Sequence, residues 1–520
     1  YESYDPAPWY SIRESIVQVS LPEELTTIGK NAFNSCTKLR RVTIPAKVTT
    51  IANNAFDYCQ VMSRVTFAPG STLQTIGECA FLRCYALTSI SLPSSLKTIK
   101  KDAFYNCNKL TSITIPASCS SIEQDAFREC SELSEVVLKE GVKTIASNVF
   151  TSCPNLTSVT LPNSLIAIGT EAFNGCSSLT HITIPKNIKS IADRTFVNCT
   201  SLATISLPDS LTTIGYQAFY GSGLTEIDLP NSITSYANNC FEKCRNLTSV
   251  TIPAGITSIP NEMFINCNNL TSVSIPEGVT TIGAGAFSNC NLLSVQLPNS
   301  LTKICSSSYY GNPNLSVLII PNNVTTIESY AFNRCYALRT VVFGNNVTTL
   351  QPYVFQYCSS LAEITLPTKL TILPTYCFDG CTSLSKVNLP EGLTTIEASA
   401  FASCSSLQTI KLPNSIRVLN GAFSGCTGLQ EIEIPEGVSM LNNTFNSCSN
   451  LSKVILPSTL TTIGDNVFRS CTNLASIDIP QSVTSIGSTA FDNCTSMSEI
   501  ALPHNLATIG SGAFQSCTSL

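Results

Sequence analysis

Hydrophobic and polar residues follow one another in the same order along the whole chain. The stretch NAFNSCTKLRRVTIPAKVTTIANNAFDYC (31–59) contains Ala-Phe-x-x-Cys twice, around Phe33 and Phe56. Phenylalanine keeps this position up to Phe514, with Tyr309 as the one replacement, which gives 22 units. The units are 23 residues apart, except for four steps of 22 and one of 25. A fixed period of roughly 20 to 50 residues is typical of repeat solenoids.

The unit reads approximately L-T-T-I-G-x-x-A-F-x-x-C-x-x-L-T-S-I-x-I-P, as in residues 95–117. The segment LTSITIP alternates apolar and polar residues and is rich in β-branched side chains, which predicts a short strand. Pro116 ends that strand because proline has no N–H for the ladder. The segment IGxxAFxxC has helix-like apolar spacing but is long enough for only a turn or two. We therefore predict a strand, a second apolar segment and a short helical turn, joined by corners.

A single unit cannot bury its apolar side alone, whereas stacked units cover one another. One strand per unit at ~4.8 Å spacing predicts a parallel sheet on one face and a body roughly 105 Å long. We expect residues 1–24 to form an N-terminal lead-in or cap, and residues 25–520 to form one solenoid of about 22 units, truncated at its C-terminal end without a cap. Because the chain starts with Tyr and stops within a unit, we expect a fragment or processed segment.

Composition limits the partners that the chain can have. Only 12% of the residues are charged, against ~25% in average domains, and the net charge is −5. Such a chain offers no electrostatic attraction for nucleic acid. No apolar run approaches the ~20 residues that a membrane helix needs. We expect no nucleic-acid partner and no membrane insertion within this segment.

One position of the unit is reserved for cysteine. Twenty of the 25 cysteines occupy it, and only Ser222 and Asn312 interrupt the series. One reading is a disulfide or metal spine, and the other is a column of buried thiols. In-register side chains point the same way rather than at each other, and zinc sites need C-x2–4-C pairs, which a spacing of 23 does not supply. We therefore favour thiols, without metal or cofactor.

Asn312 suggests what these thiols do. Cysteine and asparagine can both donate a hydrogen bond, which here would go to a carbonyl at a corner of the coil. The predicted structural ladder includes Cys36, Cys59, Cys84, Cys107, Cys130, Cys153, Cys176, Cys199 and Asn312.

The repeated unit resembles the BspA-like leucine-rich repeat proteins, the 23-residue treponemal class, over about residues 16–520. Residues 6–29 look like that family's N-terminal segment, in which Trp9 would cover the first coil. The resemblance implies a β-rich leucine-rich repeat horseshoe or superhelix, with one short strand per repeat in a parallel sheet and short helical turns on the other face. It also implies exposure on, or secretion by, host-associated bacteria and anaerobic protists, and adhesion to host matrix proteins or other microbes.

Residues for catalysis are scarce. The two histidines, His181 and His504, lie 14 repeats apart, and a rigid solenoid cannot bring them together. H-E-x-x-H, the P-loop and the dinucleotide-binding glycine pattern do not occur in the sequence. A nucleophilic cysteine needs a histidine base or an electropositive site, and the ladder supplies neither. We expect a protein that is not an enzyme.

The predicted strands leave one residue facing solvent between two inward apolar residues. From Ser20 to Ser206 these residues are nearly all Ser or Thr, whereas from Asp228 onwards they vary. Exposed apolar and charged side chains on such a face can be explained by a contact site for a partner. The alternative is that the Ser and Thr residues are there because they suit an exposed strand, and that the charged residues aid solubility. The candidate partner-binding residues are Glu226, Asp228, Ile319, Val342, Asn388, Lys411, Glu431, Glu433 and Ile455.

Together with what the resemblance implies, these observations favour a non-enzymatic adhesin-type ectodomain, at the cell surface or secreted. Its partner would be a protein, either a host extracellular-matrix protein or a microbial surface protein, held by the concave face. We expect the centre to C-terminal half, near 319–455, to carry more specificity than the first 200 residues. The alternative is a cytoplasmic protein-interaction scaffold that uses the same solenoid.

Overall fold

The computed structural model describes residues 7–520. Two compact units divide the chain: the first ends at Ile256 and includes Asn266–Asn269, and the second comprises Thr257–Ile265 and Leu270–Leu520. Both units are stacks of the coil that the sequence predicts, built from parallel strands. The predicted repeat solenoid is therefore confirmed.

Most coils have a front strand where the sequence predicts it, in the LTSITIP segment. Those of the first unit are β2 (Arg41–Ile44), β4 (Arg64–Phe67), β6 (Ser89–Ile90), β8 (Ser112–Ile115), β10 (Glu135–Leu138), β12 (Ser158–Thr160), β14 (His181–Thr183), β16 (Thr204–Ser206) and β19 (Ser249–Thr251). Those of the second unit are β21 (Ser272–Ser274), β24 (Val317–Ile319), β26 (Thr340–Val342), β28 (Glu363–Thr365), β30 (Lys386–Asn388), β33 (Glu431–Glu433) and β35 (Lys453–Ile455).

A two-residue back strand occupies the second apolar segment, so a coil has two strand positions rather than one. The first unit contains β1 (Thr27–Ile28), β3 (Thr50–Ile51), β5 (Thr75–Ile76), β7 (Thr98–Ile99), β9 (Ser121–Ile122), β11 (Thr144–Ile145), β13 (Ala167–Ile168), β15 (Ser190–Ile191), β17 (Thr213–Ile214) and β18 (Ser235–Tyr236). The second contains β20 (Ser258–Ile259), β22 (Thr281–Ile282), β23 (Lys303–Ile304), β25 (Thr326–Ile327), β27 (Thr349–Leu350), β29 (Ile372–Leu373), β31 (Thr395–Ile396), β32 (Val418–Leu419), β34 (Met440–Leu441), β36 (Thr462–Ile463), β37 (Ser485–Ile486) and β38 (Thr508–Ile509).

Strands of successive coils pair in parallel and in register. In the first unit, the back strands from β1 to β13 form a seven-stranded sheet, and β2, β4 and β6 form a front sheet. In the second unit, the back strands β20, β22, β23, β25 and β27 form a five-stranded sheet. Residues one repeat apart are partners, as in Thr27 with Thr50, so equivalent positions form continuous rows along each sheet.

The predicted helical turn around the repeated phenylalanine is not a helix. Within residues 7–520 the one helix is a 3-10 helix at Tyr10–Ser15. In the first coil, the Asn34 N–H donates back to the Asn31 carbonyl at 3.2 Å, while the Phe33 N–H donates to Ala55 of the next coil at 2.7 Å. Asn31 has a φ of +57°. An α-helix requires successive right-handed residues and keeps its N–H groups within itself, so a segment that shares them with a neighbouring coil forms consecutive turns instead.

Stacked aromatic rings run through the core. From Phe33 to Phe241 in the first unit, successive ring centroids are 5.1 to 5.7 Å apart. From Phe264 to Phe514 in the second, with Tyr309 in the series, they are 5.2 to 5.8 Å apart. Offset-stacked rings at this distance attract each other in addition to the area they bury.

Trp9 lies at the start of this stack. Its indole stacks on Phe33 with centroids 5.4 Å apart, and its Nε1 donates to the Ala32 carbonyl at 2.6 Å. The side chain thus covers the first ring and satisfies a carbonyl of the first coil.

Removal of one ring from the stack should destabilise the protein. Phe127 is fully buried between Phe104 and Phe150. Phe127→Ala should lower the free energy of unfolding by about 3–5 kcal/mol, because it removes buried area and leaves a cavity. Urea denaturation followed by circular dichroism measures this change. Thr114→Ala, at an exposed position of β8, is the control and should change the free energy by less than about 0.5 kcal/mol. Equal effects of the two variants would contradict a core built on the ring stack.

Candidate partner-binding surface

A column of thiols joins successive coils in the interior. The Cys59 Sγ donates to the Phe33 carbonyl oxygen at 3.2 Å. The same bond recurs in 19 coils, from Cys59 to Cys517, with distances of 3.0 to 3.5 Å. Asn312 uses its Nδ2 for the equivalent bond to Phe287, at 2.8 Å. None of the 25 cysteines, which all lie within residues 7–520, forms a disulfide bond.

Burial suppresses the reactivity of this column. It raises the pKa of the Cys130 thiol to about 12, and it raises the pKa of Cys107 and Cys153 well above their usual value. The thiolate is the reactive form of cysteine, so these side chains are chemically inert in the folded protein.

Alkylation should separate buried from accessible thiols. In the native protein, iodoacetamide at pH 8 should modify Cys79, Cys305 and Cys517 first, since these three are only partly buried. The other 22 should react only after denaturation, when all 25 become available. Mass spectrometry of peptides from native and denatured samples measures the difference. Recovery of ten or more disulfides from the denatured protein would contradict the thiol column.

The front strands present alternating buried and exposed side chains, as the sequence predicts. In β33, Ile432 is buried between the exposed Glu431 and Glu433. We call the outward side chains of the front strands the front face. The nine candidate residues are all exposed and lie in the front strands or at the equivalent positions of coils without one: Glu226, Asp228, Ile319, Val342, Asn388, Lys411, Glu431, Glu433 and Ile455.

Four of these candidates come together in the second unit. A shallow depression of about 420 Å³ is lined by Lys411, Glu431, Glu433 and Ile455, together with Lys453. Strand register places Glu431 beside Lys453 and Glu433 beside Ile455. The Lys453 Nζ lies 3.8 Å from the Glu431 Oε2, with both side chains more than half exposed. The depression therefore combines both charge signs with an exposed aliphatic side chain.

A second depression of about 530 Å³ contains Val342 and Asn388, beside Glu363 and Lys386. The Lys386 Nζ lies 3.8 Å from the Glu363 Oε2. The pattern of charge pair, polar side chain and aliphatic side chain is the same as in the first depression.

An apolar patch adjoins Val342. Ile319 is its register partner on β24, and Val317 lies two residues before Ile319 on the same strand. Their exposed fractions are 50% for Val342, 60% for Ile319 and 42% for Val317. Val317 is not among the residues predicted from the sequence. The alternation of the strand could have identified it, because the residue two places before Ile319 faces the same way.

The first unit contains the remaining two candidates. Glu226 and Asp228 line a depression of about 640 Å³ together with Thr204, Asn231 and Thr251. The lining residues include no lysine or arginine, so this depression is acidic. His181 is exposed on β14 in the same unit, and His504 is exposed in the second unit.

Within residues 7–520, one group of side chains meets the geometry of a metal site. Single ligand atoms of Glu78, Cys79 and Asp102 lie within 4.8 Å of one another. Burial, with help from the Asp102 carboxylate, raises the pKa of the Cys79 thiol to about 11, so the thiol keeps its proton at neutral pH. One exposed and one half-buried carboxylate beside a protonated thiol are no reason to assign a metal. In the same part of the chain, no helix has the length and apolar character needed to cross a membrane.

Comparison with known proteins agrees with the repeat pattern. The family model described as BspA type leucine rich repeat region (6 copies) matches residues 9–132, 62–180, 167–268, 190–316, 237–362, 348–444 and 439–520. The matches together extend from residue 9 to residue 520. The fold is thus that of a leucine-rich repeat solenoid, and the chain belongs to the BspA-type leucine-rich repeat family. A comparison with curated proteins gives no significant match.

Two solved structures of leucine-rich repeat proteins are similar to this chain. A leucine-rich repeat protein of Bacteroides ovatus is 26% identical, with 79% of this chain and 83% of that chain covered and a TM-score of 0.40. A leucine rich cell surface protein of Faecalibacterium prausnitzii is 28% identical, with 58% and 86% covered and a TM-score of 0.38. The membership in the family rests on the family model.

The exposed ion pairs on the front face should contribute little to folding. A double-mutant cycle with Glu431→Ala and Lys453→Ala should give a coupling energy below about 1 kcal/mol, because water screens a pair with side chains about 60% exposed. Thermal or urea unfolding of the four proteins measures it. A coupling of several kcal/mol would assign these charges to stability rather than to a partner.

Proposed function

We propose that the protein is a non-enzymatic binding protein, which holds a protein ligand on its front face. The residues between 319 and 455 provide most of the specificity. The ligand is a host extracellular-matrix protein or a surface protein of another microbe, and the repeat region acts as an adhesin-type ectodomain at the cell surface or after secretion.

The depression at Lys411, Glu431, Glu433 and Ile455 carries this proposal. It combines a charge pair whose two side chains are more than half exposed with an aliphatic side chain, that of Ile455, which is 46% exposed. Apolar side chains on a polar face favour a protein contact, and charges of both signs around them select the partner and its orientation. The second depression, at Val342 and Asn388, repeats the arrangement.

The shape of the surface favours a macromolecule over a small substrate. The depressions are open, and they lie on regular strands that present one residue per coil along a row. Repeat proteins use such rows to hold an extended partner through many weak contacts. The buried thiols and the exposed, separate histidines supply no activated nucleophile for the enzyme alternative.

The family resemblance supports a location outside the cell. One observation favours the second candidate, an intracellular interaction scaffold: none of the 25 cysteines is in a disulfide bond. Proteins in oxidising compartments usually pair their cysteines, whereas reducing compartments keep thiols free. The buried position of most of these thiols weakens that argument, because oxidants do not reach them.

Labelling of intact cells tests the location. An antibody to this region should stain unpermeabilised cells, and external protease should remove the signal. Staining that appears only after permeabilisation would reject the surface proposal and support the scaffold.

Binding assays test the front face itself. The variant Ile319→Ser/Val342→Ser/Ile455→Ser should bind immobilised purified basement-membrane matrix, or whole microbial cells, at least roughly ten-fold more weakly than the original protein, because it removes the exposed aliphatic anchors. The control, Ile166→Ser/Ile372→Ser, removes comparably exposed isoleucines, one immediately before the back strand β13 and one on the back strand β29, and should bind normally. Binding that is lost on deletion of repeats 2–8 but unchanged in the triple variant would contradict the assignment to 319–455.

A further inference from the structure

Two arginines face each other at the start of the front face. Arg41 on β2 and Arg64 on β4 are register partners in parallel strands, which lie ~4.8 Å apart. Both side chains are exposed, and Arg40 beside them is exposed as well. Among residues 7–520, no carboxylate lies within 4.0 Å of any of these three guanidinium groups.

This arrangement differs from the rest of the front face. In the second unit, the lysines at the equivalent strand position have acidic register partners, Glu363 for Lys386 and Glu431 for Lys453. Like charges directly opposite each other on a sheet destabilise it. The pair Arg41 and Arg64 therefore has a cost in the folded chain that an anion between the two groups would offset.

From β2 to β8 the other outward residues all bear hydroxyl groups, whereas Gln18 occupies the equivalent position one coil before Arg41. The Thr43 and Thr66 Oγ1 atoms are 3.0 Å apart, and strand register continues from Arg64 to Ser89. We call this surface the basic strip, which consists of Arg41, Thr43, Arg64, Thr66, Ser89, Ser91, Ser112 and Thr114. It ends at Glu135, the register partner of Ser112, where a carboxylate would repel an anion.

The basic strip has the chemistry of a glycan site more than that of a protein site. Its outward positions contain no aliphatic or aromatic side chain from which the apolar core of a protein interface could be built. Guanidinium groups bind sulfate and carboxylate through paired hydrogen bonds, and hydroxyl groups at a regular spacing suit a polymer of regular repeat. We propose that the basic strip binds an anionic polysaccharide, whose charged groups lie between Arg41 and Arg64 and whose sugar hydroxyls contact the serines and threonines.

The test is the affinity of the full chain for dextran sulfate, with neutral dextran and poly-L-glutamate as comparisons. At physiological salt the protein should bind dextran sulfate. Its affinity for neutral dextran and for poly-L-glutamate should be much lower. Arg41→Gln/Arg64→Gln should weaken the binding by at least roughly ten-fold, because it removes both forks. Lys143→Gln/Lys189→Gln is the matched control: it removes the same charge from exposed residues before the back strands β11 and β15, and it should bind normally.

Several results would overturn the proposal. The first is unchanged binding of dextran sulfate by the arginine variant. The second is an equal loss of affinity in the lysine control, which would indicate general charge attraction. The third is binding of poly-L-glutamate as tight as that of dextran sulfate, which would indicate an acidic protein as the ligand. Thermal unfolding at low salt is the second measurement: the arginine variant should be at least as stable as the original protein, since a repulsion is removed. The site is independent of residues 319–455, so the Ile319→Ser/Val342→Ser/Ile455→Ser variant should keep its affinity for dextran sulfate.

Discussion

The register between successive coils is the constraint on which the rest of this structure depends. A single coil has too little apolar area to fold alone, and it leaves backbone N–H groups that only the next coil can satisfy. The bond from the Phe33 N–H to Ala55 and the thiol bond from Cys59 to the Phe33 carbonyl fix the same two coils at two points. When a repeat is one residue shorter, the missing residue must therefore come from a part of the coil that does not make these two hydrogen bonds. The shortened units keep both the aromatic ring and the donor at the next position, as Tyr309 and Asn312 illustrate.

The register between coils also limits which residue types each position of the unit can hold. The ladder position needs a small side chain that donates one hydrogen bond in a dry interior, and cysteine and asparagine both meet the need. A charged or larger polar residue there would be buried at high cost. The low charge content of the chain and its unreactive thiols thus have one origin, because most positions of the unit are occupied by coil-to-coil contacts. The outward side chains of the front strands are not needed for these coil-to-coil contacts, so these positions can vary without damage to the fold.

Sequence reasoning succeeded where the side chain itself reveals its environment. The period of Phe33 and Phe56 predicts stacked coils, and the alternation in Glu431–Glu433 predicts which residues face outward. It failed for the predicted helical turn, because the pattern IGxxAFxxC does not reveal that alternate N–H groups go to the neighbouring coil. The residues with positive φ there include Tyr58 and Arg83 as well as asparagines, so residue type alone does not mark the turns. The contact between Glu431 and Lys453 depends on strand register. These two residues are 22 positions apart, because the repeat at this place is one residue shorter than the usual 23.

The most direct test of this account is a chain in which the seven candidate residues of the 319–455 region are replaced by Ser or Thr at once: Ile319, Val342, Asn388, Lys411, Glu431, Glu433 and Ile455. Its circular dichroism spectrum and melting temperature would be compared with those of the original protein, together with its binding to basement-membrane matrix. The account predicts an unchanged spectrum, a melting temperature within a few degrees, and loss of binding. Unfolding of the variant would show that the front face is part of the folding core, and full retention of binding would place the partner site elsewhere.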